Sequence, residues 1–169
     1  MHMKVNIIND HLGELRFGDK CYPCALGKSG VTVNKREGDH CSPAGLYSLR
    51  SLFYRADKIE KPISKLEASA ISKNDGWCDD PAQANYNQLV ELPVEGSFEN
   101  LWREDSLYDV VVVIGHNDSP PVPGLGSCIF MHVAKPNYEG TEGCVALKRQ
   151  DLLALLSVIE KETQIEIVD

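Results

Sequence analysis

The stretch Tyr108–Ala134, YDVVVVIGHNDSPPVPGLGSCIFMHVA, decides the fold of this chain. The run Val110–Ile114 is apolar throughout, which is typical of a strand that is buried on both faces. A loop rich in Pro and Gly follows, and CIFMHVA then predicts a second buried strand. Two successive apolar strands indicate a sheet at the centre of the molecule.

The sequence on either side of this stretch favours a mainly β fold. Between Lys4 and Arg50, short apolar runs alternate with Gly, Asn and Asp, which is a pattern of strands joined by turns. Residues 54–101 show little periodicity and several prolines, so we expect a long irregular connection of the kind that is often functional. LLALLSVIEK (152–161) has the apolar spacing of an amphipathic helix, and QIEIVD (164–169) predicts a closing strand.

Length and composition exclude several classes of protein. A chain of 169 residues fits a single domain, 1–169, which we expect to be a monomer. A net charge of -8 argues against binding to the phosphate backbone of nucleic acids. No apolar run approaches the roughly 18 residues of a membrane span. The N-terminal MHMKVNIIND lacks the basic and then apolar pattern of a secretory signal and instead predicts a first strand.

His132 and Cys144 are candidates for a catalytic pair. Alternation along the second strand places Cys128, Phe130 and His132 on one face. A free thiol, with a pKa of about 8.5, carries little thiolate at neutral pH, and a neighbouring imidazole can accept its proton. Gly143 allows a sharp turn whose N–H groups form an oxyanion hole. On spacing alone, however, a buried structural cysteine explains Cys144 better.

Several segments together resemble one known family. HVAKPNYEGTEGCVALKRQDL (132–152) resembles the signature of the YkuD-type L,D-transpeptidases, in which a His precedes a loop and a Ser/Thr-His-Gly-Cys turn. NKREGDHCSPAGLYSLR (34–50), DGWCDDPAQANYNQLVELP (75–93) and LYDVVVVIGHNDSPPVPGLGSCIFMHVA (107–134) match the variety of that family with a short loop. These matches cover most of the chain from about Gly30 to Asp151.

The resemblance implies both a fold and a set of roles. The fold would be mainly β with one helix in the C-terminal half, a β-sandwich of mixed sheets with a groove at one edge. Cys144 would be the nucleophile and His132 its base. Gly143 and the backbone at Cys144 would be oxyanion donors, and Thr141 would be the Ser/Thr of the turn.

The same resemblance implies an activity. The enzyme would transfer an acyl group of peptidoglycan stem peptides or muropeptides through a thioester on the cysteine, with no cofactor and no metal. Hydrolysis of that thioester, as in an L,D-carboxypeptidase or endopeptidase, is one alternative. A non-catalytic peptidoglycan-binding module that keeps the fold is another. The substrate implies the periplasm or cell envelope, and a cytoplasmic enzyme that acts on muropeptides is the alternative.

The chain departs from the family pattern at two places. Glu142 stands where the pattern has a histidine, and Val145–Leu147 follow the cysteine where the pattern often reaches an arginine. Recognition of a substrate carboxylate is therefore an open question. Thr141, Glu142 and His116 are further candidates for substrate binding. His116 ends the first buried strand near the edge that His132 also reaches. A structural role for His116 explains its position as well.

Other polar clusters have simpler explanations. KREGD (35–39) is either a solvated turn or part of the groove, and Asp79 and Asp80 are expected to cap a turn. We expect His40 at the surface or behind the site. CYPC (21–24) has the CxxC spacing of metal and redox sites, but no second pair follows, so packing cysteines are the better explanation. A metal site that combines these cysteines with His40 and Cys41 is the remaining alternative.

Overall fold

The computed structural model describes residues 1–169 and contains 14 strands, one α-helix and one short 3-10 turn. In the N-terminal half lie β1 (His2–Asn9), β2 (Leu12–Phe17), β3 (Lys20–Ala25), β4 (Val31–Thr32), β5 (Ser42–Pro43), β6 (Gly45–Tyr54), β7 (Ala68–Ala70) and β8 (Asp75–Cys78). Then follow β9 (Leu89–Glu91), β10 (Phe98–Asn100), β11 (Val110–Ile114), β12 (Phe130–Val133), the 3-10 turn (Pro136–Tyr138), β13 (Val145–Leu147), α1 (Arg149–Leu156) and β14 (Gln164–Val168).

The two strands predicted to be buried, β11 and β12, are confirmed. They pair antiparallel, with Val112 opposite Met131, and every residue of both strands is buried. β11 also pairs with β6, and β12 also pairs with β13. Both strands therefore have neighbours on each side, which is why neither needs polar residues to protect an edge.

The main sheet has nine strands in the order β11-β12-β13-β3-β2-β1-β14-β6-β7. The first half of the long strand β6, Gly45–Ser48, pairs with β14, whereas the second half, Leu49–Tyr54, pairs with β11. Because β6 pairs with β14 and also with β11, the first strand in this order, the main sheet closes on itself. Parallel pairs (β1–β14, β6–β7 and β12–β13) occur beside antiparallel ones. The predicted class, mainly β with mixed sheets and one helix in the C-terminal half, is confirmed.

Alternate residues of β11 and β12 pack into two different apolar clusters. The larger core has 22 buried residues and includes Met131 and Val133 together with residues of α1. The smaller core lies on the other face of these strands and includes Phe130. Its members are Phe53, Ile71, Trp77, Leu101, Tyr108, Val111, Val113, Phe130 and Cys144. The predicted alternation of side chains along β12 is thus confirmed. Cys144 lies on the face of the smaller core.

The region from 54 to 101 is more regular than the sequence indicated. Instead of an irregular connection, it contains a separate sheet of three strands in the order β10-β8-β9, as well as β7 on the main sheet. Each of these strands has only three or four residues. Strands this short carry almost no alternating pattern, so their pairing depends on contacts that the local sequence does not reveal.

The predicted helix and closing strand are present with different bounds. α1 starts at Arg149, three residues before the predicted start, and ends at Leu156. Ile159 lies beyond the helix but is buried in the larger core with Leu152 and Leu155. Apolar spacing therefore identified the buried face correctly and the end of the helix wrongly. No helical segment has the length and apolar character needed to cross a membrane.

Candidate active site

The turn before β13 holds Cys144 in a conformation that requires glycine. Gly143 has a φ of +144°, and a Cβ atom at this position would lie 2.8 Å from the carbonyl oxygen of Cys41. The hydroxyl of Thr141 closes the turn, since it donates to Cys144 O at 2.7 Å and accepts from Gly143 N at 3.1 Å. These two hydrogen bonds hold the backbone of Gly143 and Cys144 in one conformation.

The segment after β3 braces this turn from outside. The hydroxyl of Ser42, which is fully buried, donates to Gly143 O at 2.8 Å and accepts from Gly27 N at 2.9 Å. Backbone bonds from Lys28 N to Thr141 O and from Thr141 N to Leu26 O join the two segments, at 2.8 and 2.9 Å. The turn that carries Cys144 is consequently held by a second part of the chain, more than a hundred residues away in sequence.

Burial favours the protonated thiol of Cys144. The side chain is 7% exposed, and burial raises its pKa to about 12. Sγ donates to the carbonyl oxygen of Cys128 at 3.2 Å and accepts a longer bond from Phe130 N at 3.4 Å. The N–H of Phe130 favours a thiolate, whereas the carbonyl of Cys128 favours the thiol. A base is therefore required before this sulfur can act as a nucleophile.

Burial favours the neutral imidazole of His132, and a backbone hydrogen bond sets its tautomer. Its Nδ1 donates to the carbonyl oxygen of Val133 at 2.8 Å, so the lone pair of the neutral ring is on Nε2. The ring is 5% exposed, and burial lowers its pKa to about 4. Tyr108 packs edge-on against the imidazole, with ring centroids 5.4 Å apart.

His132 lies on β12, and Cys144 immediately precedes the neighbouring parallel strand β13. Because Met131 pairs with Val145, Cys144 stands level with Phe130, one strand repeat from His132 on the same face. No hydrogen bond joins the imidazole and the thiol in this state, because Sγ is bonded to Cys128 O. Rotation of the cysteine side chain would release it from that carbonyl, and catalytic hydrogen bonds often form only with bound substrate.

Both residues line a cavity of about 410 Å³. Thr141 and Glu142 line the same cavity. Most of the lining is polar, since only five of its 18 residues are hydrophobic. The cavity is therefore suited to a polar, charged substrate rather than an apolar one.

Arg103, Glu99 and Tyr108 form a fixed network in the wall of this cavity. Arg103 binds both oxygens of Asp105, at 2.8 and 2.7 Å, and also contacts Glu99 at 3.2 Å. Tyr108 donates to Glu99 at 3.1 Å, and burial raises the pKa of that carboxyl. The network holds the ring of Tyr108 against the imidazole of His132.

The family of the chain follows from a comparison with family models. The model of the YkuD L,D-transpeptidase catalytic domain matches residues 11–167, which is nearly the whole chain. The chain belongs to the YkuD family. The match places it among L,D-transpeptidase catalytic domains.

One solved structure and the curated proteins were also compared with this YkuD domain. The structure of Bd1075 from Bdellovibrio bacteriovorus aligns with a TM-score of 0.45 and 14% identity. The alignment covers 99% of this chain and 48% of that one, so the YkuD domain spans about half the length of Bd1075. No curated protein matches the chain.

The YkuD domain brings together four of the six predicted site residues. Cys144, His132, Thr141 and Glu142 line one cavity. Gly143 lies in the turn but does not line the cavity, and its N–H is taken by the Thr141 hydroxyl. The N–H of Cys144 has no acceptor in the structure, so it is the freer oxyanion donor of the two. An oxyanion role for Gly143 remains a prediction.

His116, the sixth predicted residue, lies outside the cavity wall. Its ring packs edge-on against Tyr47, with centroids 5.4 Å apart, and its Nδ1 is buried without a hydrogen-bond partner. Burial, helped by the positive charge of Lys35, lowers its pKa to about 4. The structure therefore packs His116 beside the loop of Gly126 and outside the residues that line the cavity, and a role in substrate binding remains a prediction.

Glu142, which stands where the family pattern has histidine, joins a cluster at the mouth of the cavity. Its carboxylate binds Lys28 Nζ at 2.9 Å and also contacts Nδ1 of His40. Glu142 is well exposed, so these ion pairs contribute little to stability. They do connect the turn of Cys144 to the segment that braces it.

The remaining candidates separate by strand geometry. Cys21 and Cys24 are three residues apart on β3, so they point to opposite faces, one exposed and one buried. No group of three or more His, Cys, Asp or Glu side chains is arranged to hold a metal ion, which leaves the four-residue metal alternative without a site. Asp80 accepts from Ala82 N at 2.9 Å, as a turn cap does, whereas Asp79 lines the cavity.

Sequence reasoning missed Ser42, Glu99, Arg103 and Tyr108. Ser42 lies in a two-residue strand and the others lie on or beside β10 and the segment before β11. None of them belongs to a motif with a chemical spacing of its own. The only signal was their position, since Ser42 and Tyr108 lie inside segments that resemble the family and Glu99 and Arg103 lie between two of those segments. Contact with the cavity depends on how the small sheet packs against β12.

Proposed function

We propose that the chain is a cysteine acyltransferase that acts on peptidoglycan stem peptides. The observation that carries the proposal is that Cys144 and His132 line one cavity, while the bond to Val133 leaves Nε2 of the imidazole free as a base. The substrate class comes from membership of the YkuD family.

The first half of the reaction forms a thioester. With the peptide bound, Nε2 of His132 takes the proton of Cys144, and Sγ attacks the carbonyl carbon of the L-centred residue. The N–H of Cys144, which has no acceptor in the structure, donates to the developing oxyanion. The imidazolium then returns its proton to the leaving amine, and the D-amino acid departs as the C–N bond breaks.

The second half resolves the thioester. The amine of a second stem peptide loses a proton to His132 and attacks the thioester carbonyl, which forms an L,D cross-link and restores the thiol. Water can take the place of the amine, and the product is then that of an L,D-carboxypeptidase. The polar lining of the cavity favours access by water, so this second outcome is kept.

A carbapenem tests the nucleophile, because it acylates reactive thiols as a mimic of the D-residue amide. We expect wild-type protein to gain one carbapenem mass and the Cys144→Ala variant to gain none, as measured by intact-protein mass spectrometry. Cys21→Ala is the matched control, since Cys21 is exposed and lies on β3. It should react like wild type. A folded wild-type protein that gains no mass would favour the non-catalytic binding module.

Product analysis separates the two fates of the thioester. A stem tetrapeptide incubated with the enzyme should give a cross-linked dimer if an amine resolves the thioester. A tripeptide without any dimer would identify the hydrolytic alternative. On either outcome we expect the working location to be the periplasm or cell envelope.

A further inference from the structure

Lys35 is a buried cation in the wall of the catalytic cavity. Its side chain is 7% exposed, although lysine is one of the residues that are least often buried, and it lines the same cavity as Cys144 and His132. Its charge opposes, in small part, the burial that raises the pKa of Cys144. The ammonium group is therefore within electrostatic reach of the nucleophile.

The ammonium of Lys35 keeps one donor free. It forms an ion pair with Oδ1 of Asp39 and donates to the carbonyl oxygen of Arg36 at 3.1 Å. An ammonium has three N–H donors, so two are used within the protein and one remains. The carboxylate of Asp39 also accepts from the N–H groups of Arg36 and Cys41, at 2.8 and 2.9 Å, so its charge is shared among several donors.

The stem of Lys35 is held in place by a neighbouring glycine. A Cβ atom at Gly126 would lie 3.0 Å from Cγ and 3.1 Å from Cε of Lys35, so the loop before β12 packs directly on the lysine. The φ of Gly126 is +106°, and its N–H donates to the hydroxyl of Tyr86 at 3.0 Å. The ammonium is thus positioned before any substrate arrives, which lowers the entropy cost of binding an anion.

The other cations of the cavity are less suited to bind an anion. Arg103 is 31% exposed, and the carboxylates of Asp105 and Glu99 take three of its five N–H donors and offset its charge. Lys135 is 46% exposed, with Glu139 at 3.9 Å, and its charge is screened by water. Among the cations that line the cavity, Lys35 alone combines a buried side chain with an N–H donor that has no partner in the protein.

We propose that Lys35 binds the terminal carboxylate of the D-residue that follows the scissile bond. This inference rests on the proposed function, which supplies the substrate class. The carboxylate of that residue is separated from the leaving nitrogen by a single carbon atom, so it lies in the cavity that Lys35 and Cys144 both line. In this chain the preference for a free carboxylate over an amide at that position therefore depends on Lys35.

The test compares two donors that differ only in this group. One is a stem tetrapeptide that ends in a free D-alanine, and the other is the same peptide with a C-terminal carboxamide. Binding is measured by calorimetry in the Cys144→Ala background, where no reaction occurs. We expect the acid to bind about 30-fold more tightly than the amide, which is the usual size of one charge-assisted hydrogen bond in a buried site. Adding Lys35→Met should remove that preference, and Lys35→Arg should keep part of it.

Three further measurements exclude other roles for the lysine. Lys61→Met, an exposed lysine outside the cavity, should leave the preference unchanged. Circular dichroism and thermal unfolding establish that Lys35→Met is folded. Because the binding comparison is made in the Cys144→Ala background, where no thiol is present, loss of the acid preference in Lys35→Met cannot arise from the effect of Lys35 on the pKa of Cys144.

Two results would overturn the inference. One is an acid-to-amide ratio near one in the Cys144→Ala protein, and the other is a Lys35→Met variant that weakens both donors equally. Failure of the proposed function has a different signature, because it leaves the acid preference in binding intact while the protein with Cys144 converts neither donor.

Discussion

The two faces of β12 are both buried, but burial has a different consequence on each face. Met131, on the face of the larger core, is 0% exposed, and its neighbour His132, on the cavity face, is 5% exposed. On the core face, burial of apolar groups stabilises the fold. On the cavity face, burial lowers the pKa of His132 and raises that of Cys144, so the same physical effect sets protonation states instead.

This contrast implies a division between stability and chemistry within one strand. A charged pair would be costly in so enclosed a place, and the protein holds both groups neutral until substrate binds. The bond from His132 to Val133 O and the bond from Cys144 to Cys128 O are both made by neutral donors. Substitutions on the two faces should therefore fail in different ways.

The largest effect should come from removal of the base. We expect His132→Gln to lower the rate of carbapenem acylation by about 10²- to 10⁴-fold, the usual contribution of a general base, while the protein stays folded. Stopped-flow acylation measures the rate, and circular dichroism checks the fold. A variant that reacts as fast as wild type would remove His132 from the role of base.

The neighbouring residue on the other face should show the opposite behaviour. Met131→Ala leaves a cavity in the larger core, so we expect the free energy of unfolding to fall by about 2–5 kcal/mol. The acylation rate per folded molecule should remain within about twofold of wild type. Denaturant unfolding and acylation measured on the same sample provide the check. A large loss of rate at unchanged stability would show that the two faces are not separable.

The smallest effect is expected in the pH dependence of stability that arises from His132 on the cavity face. The folded pKa of His132 is about 4, below its ordinary value of 6.5, so between these values the unfolded chain binds a proton that the folded chain does not. The free energy of unfolding should therefore fall as the pH is lowered from about 6.5 to about 4, by on the order of 3 kcal/mol from this group. Because the pKa of His116 is also lowered to about 4, His132→Gln should reduce the slope in that window by about half, and Met131→Ala should leave the slope unchanged. Equal slopes in wild type and His132→Gln would contradict the buried neutral imidazole.

Part of the fold was predictable because local patterns of apolar residues indicate it. The run Val110–Ile114 and the alternation in CIFMHVA identified both central strands and their faces, since strand periodicity needs no partner to be visible. The sheet formed by β8, β9 and β10 was not predictable, because strands of three or four residues have too few positions for a period. Its packing also brings Glu99 and Asp79 to the cavity.

By itself, the sequence determined the central strands and the family resemblance, and it made His132 and Cys144 a candidate pair, because strand periodicity and motif spacing are visible in the sequence alone. The tertiary structure alone decided what surrounds that pair. It placed Ser42 against the turn of Cys144 and Lys35 in the cavity wall, while it left His116 outside the wall. Those positions depend on contacts between segments that are far apart in sequence, and the protonation states depend on how completely those contacts exclude water. Neither these positions nor these protonation states can be predicted from a local sequence pattern.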